Sequence, residues 1–252
     1  MALNAVRGAL GFLTRLPVGH DESAWNAFRG APWAFSLAGY VVGALLVLPI
    51  VAGSSLSLPA GTVALGYVGW VLALTGINHL DGVADVGDAT VVHGDTDDRR
   101  TVLKDTTVGV GALAAVGLTF LGLGFGALGV ARLPFVAGVA VVVAAEVGSK
   151  VGMAAVACLG TAAHEGLGSQ FTERAGWPAL CLAVGAGVPV ALVSWPSPVA
   201  LGAFVGAIGG GLFALWRLEG LLGGVNGDVF GAVNEVGRVV GLHAGVVVWT
   251  LS

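Results

Sequence analysis

Seven stretches of this chain are long and apolar enough to cross a bilayer, and that fact constrains its fold more than any other. They run roughly over 33–52, 60–78, 108–130, 135–159, 177–195, 199–218 and 238–252, measured against the ~20 residues a spanning helix needs. Only 10% of the 252 residues are charged, against 56% hydrophobic; a soluble domain carries about 25% charged residues. Lipid cannot satisfy an open backbone, so spans of this kind must be helices. The 43 glycines suit helices whose backbones touch where lipid supplies no hydrophobic drive. The expected fold is therefore all-α: a polytopic integral membrane protein of about seven transmembrane helices, forming one domain over 1–252. Residues 2–16 are read as a short amphipathic helix on the membrane surface, with Val6, Leu10, Phe12 and Leu13 on one side. Pro17 ends it.

Basic residues orient the spans. With the N-terminus inside, Arg7, Arg15, Arg29, Arg99, Arg100, Lys104, Arg174, Arg217 and Arg238 fall on the cytoplasmic side. Arg132 alone falls outside, and Lys150 lies within a span. That asymmetry is a positive-inside signal. The basic residues are too few and scattered for a nucleic-acid footprint, so no nucleic-acid partner is expected. The lipid bilayer is the expected surroundings, and a homo-oligomer is allowed. Cys158 and Cys181 lack metal-ligand or CxxC spacing and read as small buried hydrophobes. No secretory signal peptide is recognised at the N-terminus.

The carboxylates are concentrated. Seven of fifteen acidic residues lie in GINHLDGVADVGDATVVHGDTDDRRTVLKDTTVGVG, residues 76–111. Asp81, Asp85 and Asp88 are spaced i, i+4, i+7, which places them on one helical face. Ionised groups are costly at the end of an apolar span unless something positive joins them. Three hard oxygen donors select a cation such as Mg²⁺, and Mg²⁺ commonly takes one or two carboxylates plus water and substrate phosphate. His79 could serve as a base, hold phosphate or order the carboxylates; a plain interfacial histidine is the bland alternative. Asp95, Asp97 and Asp98 read as a solvated loop capping a helix that begins near Arg99. Arg99, Arg100 and Lys104 could clamp phosphate oxygens or pair with nearby aspartates. Asp105 is a further catalytic candidate. Glycines such as Gly109 could let backbone N–H groups approach a phosphate, or serve span packing.

A second polar island, GGVNGDVFGAVNEV at 223–236, carries Asp228, Asn234 and Glu235. Asp228 and Glu235 share a helical face. On the same side of the membrane as the first island, Asp228 is a candidate fourth metal ligand and catalytic residue, and Asn234 a substrate contact. Glu146 and Lys150, i and i+4 within a span, form an ion pair that is either a site or structural. His164 and Glu165 lie in a cytoplasmic loop, HEGLGSQF, and read as substrate contacts or as merely solvated.

These residues resemble the cobalamin synthase family, adenosylcobinamide-GDP ribazoletransferases. The resemblance rests on FLTRLPV at 12–18, HLDGVADVGDA at 79–89, RRTVLKDTTVGVGA at 99–112, GLGSQF at 166–171 and GGVNGDVFGAVNEV at 223–236. Thr107, Ala89, Asn226 and the EVGSK stretch depart from the family pattern, with Lys150 standing near a position where the family often has Arg. The resemblance implies a Mg²⁺-dependent membrane enzyme of cobalamin assembly. Such an enzyme joins adenosylcobinamide-GDP to α-ribazole or its 5′-phosphate and releases GMP. Its carboxylates would hold the metal against the pyrophosphate. Two alternatives are weighed against it. A CDP-alcohol phosphotransferase requires DG-x-x-AR, where this chain has Asp85. A cation- or proton-coupled transporter would place its ionisable residues near the midplane of related halves, and no internal repeat is evident.

Overall fold

The computed structural model describes residues 2–19, 21–103, 105 and 107–252. Among these residues thirteen α-helices follow one another: α1 (Ala2–Leu13), α2 (Glu22–Arg29), α3 (Trp33–Leu46), α4 (Leu48–Ser55), α5 (Ala60–Thr75), α6 (Asn78–Val91), α7 (Thr96–Val102), α8 (Val110–Val130), α9 (Phe135–Leu159), α10 (Leu167–Thr172), α11 (Trp177–Gly187), α12 (Val199–Leu222) and α13 (Gly227–Leu251). A 3₁₀ turn, Val188–Leu192, extends α11. Among the described residues no strand forms; a lone parallel bridge joins Ala162 to Val225.

The all-α membrane fold is as expected. By length and apolarity, four segments among the described residues can cross a membrane: α3 with α4, α8, α9 and α12, or five if α5 and α6 are one broken span. Length and composition alone therefore do not reach seven. The α11 segment is short, and α13 carries Asp228, Glu235 and Arg238. α13 also starts at Gly227, not near 238. The second polar island is thus the first half of a long helix rather than a connection. Arg238, counted as a cytoplasmic loop residue, is instead completely buried.

α9 is the axis of the bundle, enclosed along most of its length by α3, α12 and α13. Small residues make this approach feasible. A Cβ on Gly39 or Gly43 would meet the Val147 or Val143 backbone at 3.0–3.1 Å, and one on Gly148 would meet the Phe204 carbonyl at 2.6 Å. In lipid, such close backbone contact supplies the packing that water would otherwise drive. α1 buries Ala5, Ala9 and Leu13, with Gly8 set against the Ala24 carbonyl of α2. The short amphipathic helix expected at the N-terminus is present, with this buried face packed against α2. Phe12 joins Trp25, Phe28, Phe35 and Phe171 in an aromatic cluster. Trp25 and Arg29 donate to Gln170 of α10 at 3.1 and 3.0 Å. FLTRLPV and GLGSQF are thus parts of one packed unit.

At the α9–α13 contact a charged network is sealed inside. Arg238 donates to Glu146 at 2.7 Å and to both Glu235 oxygens at 2.6 Å. Lys150 donates to Glu146, and to Asn234 Oδ1 at 2.6 Å. Two carboxylates face two cations, so the network is neutral overall. Intact, it satisfies groups that would be costly alone in a low-dielectric interior. Arg238→Ala should therefore cost about 3–5 kcal/mol, since Lys150 alone then faces Glu146 and Glu235 and one buried negative charge is left uncompensated. The double change Glu146→Gln with Lys150→Met, which keeps the count neutral, should cost less. Denaturant unfolding in detergent measures both; equal losses would contradict charge balance as the main effect.

Candidate active site

α5 ends where Gly76 adopts φ +73°, a conformation that favours glycine. There the chain bends by 99° into α6. The carboxylates were expected to continue the span at 60–78. They sit instead on a separate helix that leaves the direction of α5 and crosses α13. The crossing is backbone on backbone: a Cβ on Gly82 would lie 2.8 Å from the Asp228 Cα, and one on Gly231 2.9 Å from the His79 carbonyl oxygen. HLDGVAD and NGDVFGAVNE interlock through these glycines, which sets Asp81 and Asp85 beside Asp228. Burial, followed by the charges of Asp228, Asp81 and Asp88, pushes the Asp85 carboxyl up to about 6. The repulsion expected from the helical spacing is present, and Asp228 adds to it across the helix contact. Among the described residues no group of three or more His, Cys, Asp or Glu is placed closely enough to hold a metal ion by itself.

Asp88 faces elsewhere. Its Oδ2 accepts from the Gly109 N–H at 2.7 Å and its Oδ1 from the Ala112 N–H at 2.9 Å. It caps the N-terminus of α8, where a carboxylate is favoured by unpaired N–H groups and the helix dipole. Gly109 therefore spends its N–H on Asp88. A Cβ there would lie 2.4 Å from Asp88 Oδ1, so the close approach that calls for glycine is to a side chain of the protein itself.

The expected cap is present: Asp95 accepts from the Asp97 and Asp98 N–H groups, and Asp98 accepts from Asp95 N–H, a capping box at α7. The helix starts at Thr96, three residues earlier than expected. Arg99 donates to the Ala89 carbonyl at 3.0 Å, at the end of α6. Arg100 donates through Nε to Leu222 at 2.8 Å and through one terminal nitrogen to Gly223 at 3.0 Å, at the end of α12. Both guanidinium groups thus bind exposed carbonyls of helix C-termini. The other terminal nitrogen of Arg100 lies 3.8 Å from Asp97. Asp105 accepts from the Thr107 N–H at 3.0 Å. Lys104 lies outside the described residues.

Arg100 and Asp228 face the same cleft of about 560 Å³, which His164, Asn226 and Asp97 also line. Asn226 accepts from the Val229 N–H at 3.1 Å, so it N-caps α13. It donates to Asp228 at 2.7 Å, holding that carboxylate. His79 and Asn234 are not at the cleft wall. Both are buried, with the Asn234 amide nitrogen 3.1 Å from His79 Nδ1 and donating to Glu235 at 2.9 Å. They connect the acidic helix to the buried charge network. Arg238, Ser149 and Asn226 had no site role in the sequence reading. Arg238 is one i+3 step from Glu235 on α13, the only cue that could have disclosed it.

The sequence pattern of the cobalamin-5-phosphate synthase family matches residues 5–246. The chain belongs to that family. It is 66% identical over 193 residues to an adenosylcobinamide-GDP ribazoletransferase of Halobacterium salinarum, covering 77% of this chain and 97% of that one. It is 48% identical over 260 residues to that of Halorubrum lacusprofundi, covering 99% of each. The corresponding Haloquadratum walsbyi protein is 44% identical over the full length of both chains. No solved structure matches. The chain is thus a multi-pass membrane enzyme of the cobalamin synthase family, and the acidic α6–α13 crossing is its candidate active site.

Two outcomes follow from the geometry. Asp88→Ala should release two α8 amides, cost about 1.5–3 kcal/mol, and speed hydrogen exchange at 109–112. Unchanged exchange there would remove the capping role. For Asp85, a folded value of about 6 lies above the ordinary 3.8, so the folded state binds the extra proton. Its ionisation therefore opposes folding, fully above about pH 6 and not at all below about pH 4. Without divalent cations, Asp85→Asn should raise the melting temperature at pH 7.5, with the gain vanishing as pH falls toward 4. A constant gain at every pH would contradict carboxylate repulsion.

Proposed function

We propose that this enzyme joins adenosylcobinamide-GDP to α-ribazole, or its 5′-phosphate, and releases GMP, with a Mg²⁺-dependent site facing the cytoplasm. One observation carries the reading: the α6–α13 crossing brings Asp81, Asp85 and Asp228 together beside a polar cleft edged by Arg100. The relatives named above bear the ribazoletransferase name. The donor set suits the cation: three carboxylates, two from α6 and one from α13, all hard oxygen donors, with Asp85 held short of easy ionisation by burial and then by its neighbours. Mg²⁺ prefers such oxygens and leaves part of its shell to water and phosphate, which explains why no closed cage is needed. Asp81, Asp85 and Asp228 would hold it; when bound, it supplies neutralisation of pyrophosphate charge.

The reaction asks little covalent work of the protein, chiefly positioning and charge compensation. Asn226 fixes the Asp228 carboxylate at 2.7 Å. Arg100 has two N–H groups committed to Leu222 and Gly223, which anchors the guanidinium and leaves its third nitrogen, near Asp97, for substrate phosphate. On the seven-span reading, eight basic residues against Arg132 remain on the cytoplasmic side once Arg238 is removed, a count that supports a cytoplasmic site.

The test uses protein purified in detergent, supplied with adenosylcobinamide-GDP, α-ribazole and Mg²⁺, and follows GMP. Asp81→Asn should reduce GMP release to background in a folded protein; near-normal turnover would remove Asp81 from the site. Asp97→Asn should keep most of the activity, since the side chain is 89% exposed and only the 3.8 Å pairing with Arg100 is lost, while the α7 cap uses the Asp97 backbone N–H. A loss equal to that of Asp81→Asn would undo the division between site and loop.

A further inference from the structure

The geometry points to His164 as the group that takes the proton from the attacking hydroxyl of the acceptor, an assignment that rests on the transferase reading above. The loop before α10 is clamped onto the start of α13. Ala163 N–H donates to the Val225 carbonyl at 3.0 Å, and Val225 N–H to the Thr161 carbonyl at 2.7 Å. Glu219 accepts from the Thr161 N–H at 2.7 Å. A Cβ on Gly168 would fall 2.5 Å from the Val225 carbonyl oxygen, so α10 is pressed against the same segment. HEGLGSQF at 164–171 and GGVNGD at 223–228 thus form one wall, and it sets His164 and Asp228 on the same cleft.

The ring itself is oriented. His164 Nδ1 lies 2.8 Å from the Glu165 carbonyl oxygen. A carbonyl only accepts, so Nδ1 carries the hydrogen. In the neutral ring this leaves the lone pair on Nε2. The ring packs over Gly166, where a Cβ would lie 3.3 Å from Cε1. A positioned imidazole nitrogen on the cleft that Asp228 also lines is what a hydroxyl nucleophile requires. His79, at the start of the acidic helix, is buried and has Nδ1 engaged by Asn234. Asp88 is committed to capping α8.

In the step proposed, the acceptor hydroxyl oxygen forms a bond to the pyrophosphate phosphorus that stays with the corrinoid. The bond from that phosphorus to the bridging oxygen breaks, and GMP leaves with its electron pair. The hydroxyl proton passes to Nε2 and later to water. His164 thus touches the reacting atoms and is a catalytic residue in the strict sense.

The experiment compares wild type with H164A, H164N and H164Q in the GMP-release assay, with and without added imidazole. Asn places an amide N–H near the Nδ1 position and so can keep the Glu165 contact, yet it offers no basic nitrogen. All three variants should lose about 10²–10⁴-fold in kcat with KM nearly unchanged, and imidazole should restore much of the loss in H164A alone. Full activity in H164N, a change confined to KM, or an absence of rescue would each overturn the assignment. A wild type inactive on these substrates would overturn the transferase reading and His164's role with it, whereas an active wild type with active variants removes His164 only.

Discussion

The crossing of α6 over α13 is the contact on which the site depends. Gly82 and Gly231 let the two backbones meet at distances that no side chain would permit, and the acidic residues of both helices converge as a result. Carboxylates do not assemble this way of their own accord, since each ionisation opposes the next. The opposing force comes from beneath them. His79, at the start of α6, meets Asn234 of α13. Asn234 is fixed by Lys150 and Glu235, and these by Glu146 and Arg238. A neutral, fully satisfied polar cluster thus anchors the underside of a repulsive acidic face.

This arrangement explains why two groups of charge in an apolar chain behave differently. The inner group is balanced, dehydrated and structural. The outer group is unbalanced and partly open to solvent, and it is there that we propose a cation binds. Around it, the remaining ionic groups serve the helix ends: Asp88 at the start of α8, Asp95 at α7, Arg99 and Arg100 at the ends of α6 and α12. Helix termini at a membrane face carry many unpaired backbone groups, and charged side chains of the site region satisfy them. Binding and architecture share residues here, as with Arg100, which is anchored by carbonyls and still faces the cleft.

Much of this was legible in the sequence. Apolar length gave the helical membrane fold, and the i, i+4, i+7 spacing gave the acidic face with its repulsion. Glu146 and Lys150 were recognisable as a pair. What pattern alone could not supply was the direction of each side chain once a second helix arrived. Asp88 shares the spacing of Asp81 and Asp85 but meets the α8 amides, because the chain folds back at 109–112. Arg238 looked like a loop cation because the apolar run seemed to begin only after it. The buried half of α13 is polar on one side for the sake of α9, a relation between residues some 90 positions apart. The clamp between Val225 and the 161–163 loop rests on backbone bonds, which no side-chain motif announces.

The central claim is that the acidic residues of α6 and α13 form one cation-binding site. Manganese binding followed by electron paramagnetic resonance tests it most directly, on detergent-purified wild type, Asp85→Asn, Asp228→Asn and the double variant. One shared site predicts that either single change weakens binding and that the double change adds less than the sum of the two. Fully additive losses, or wild-type affinity in either single variant, would contradict it.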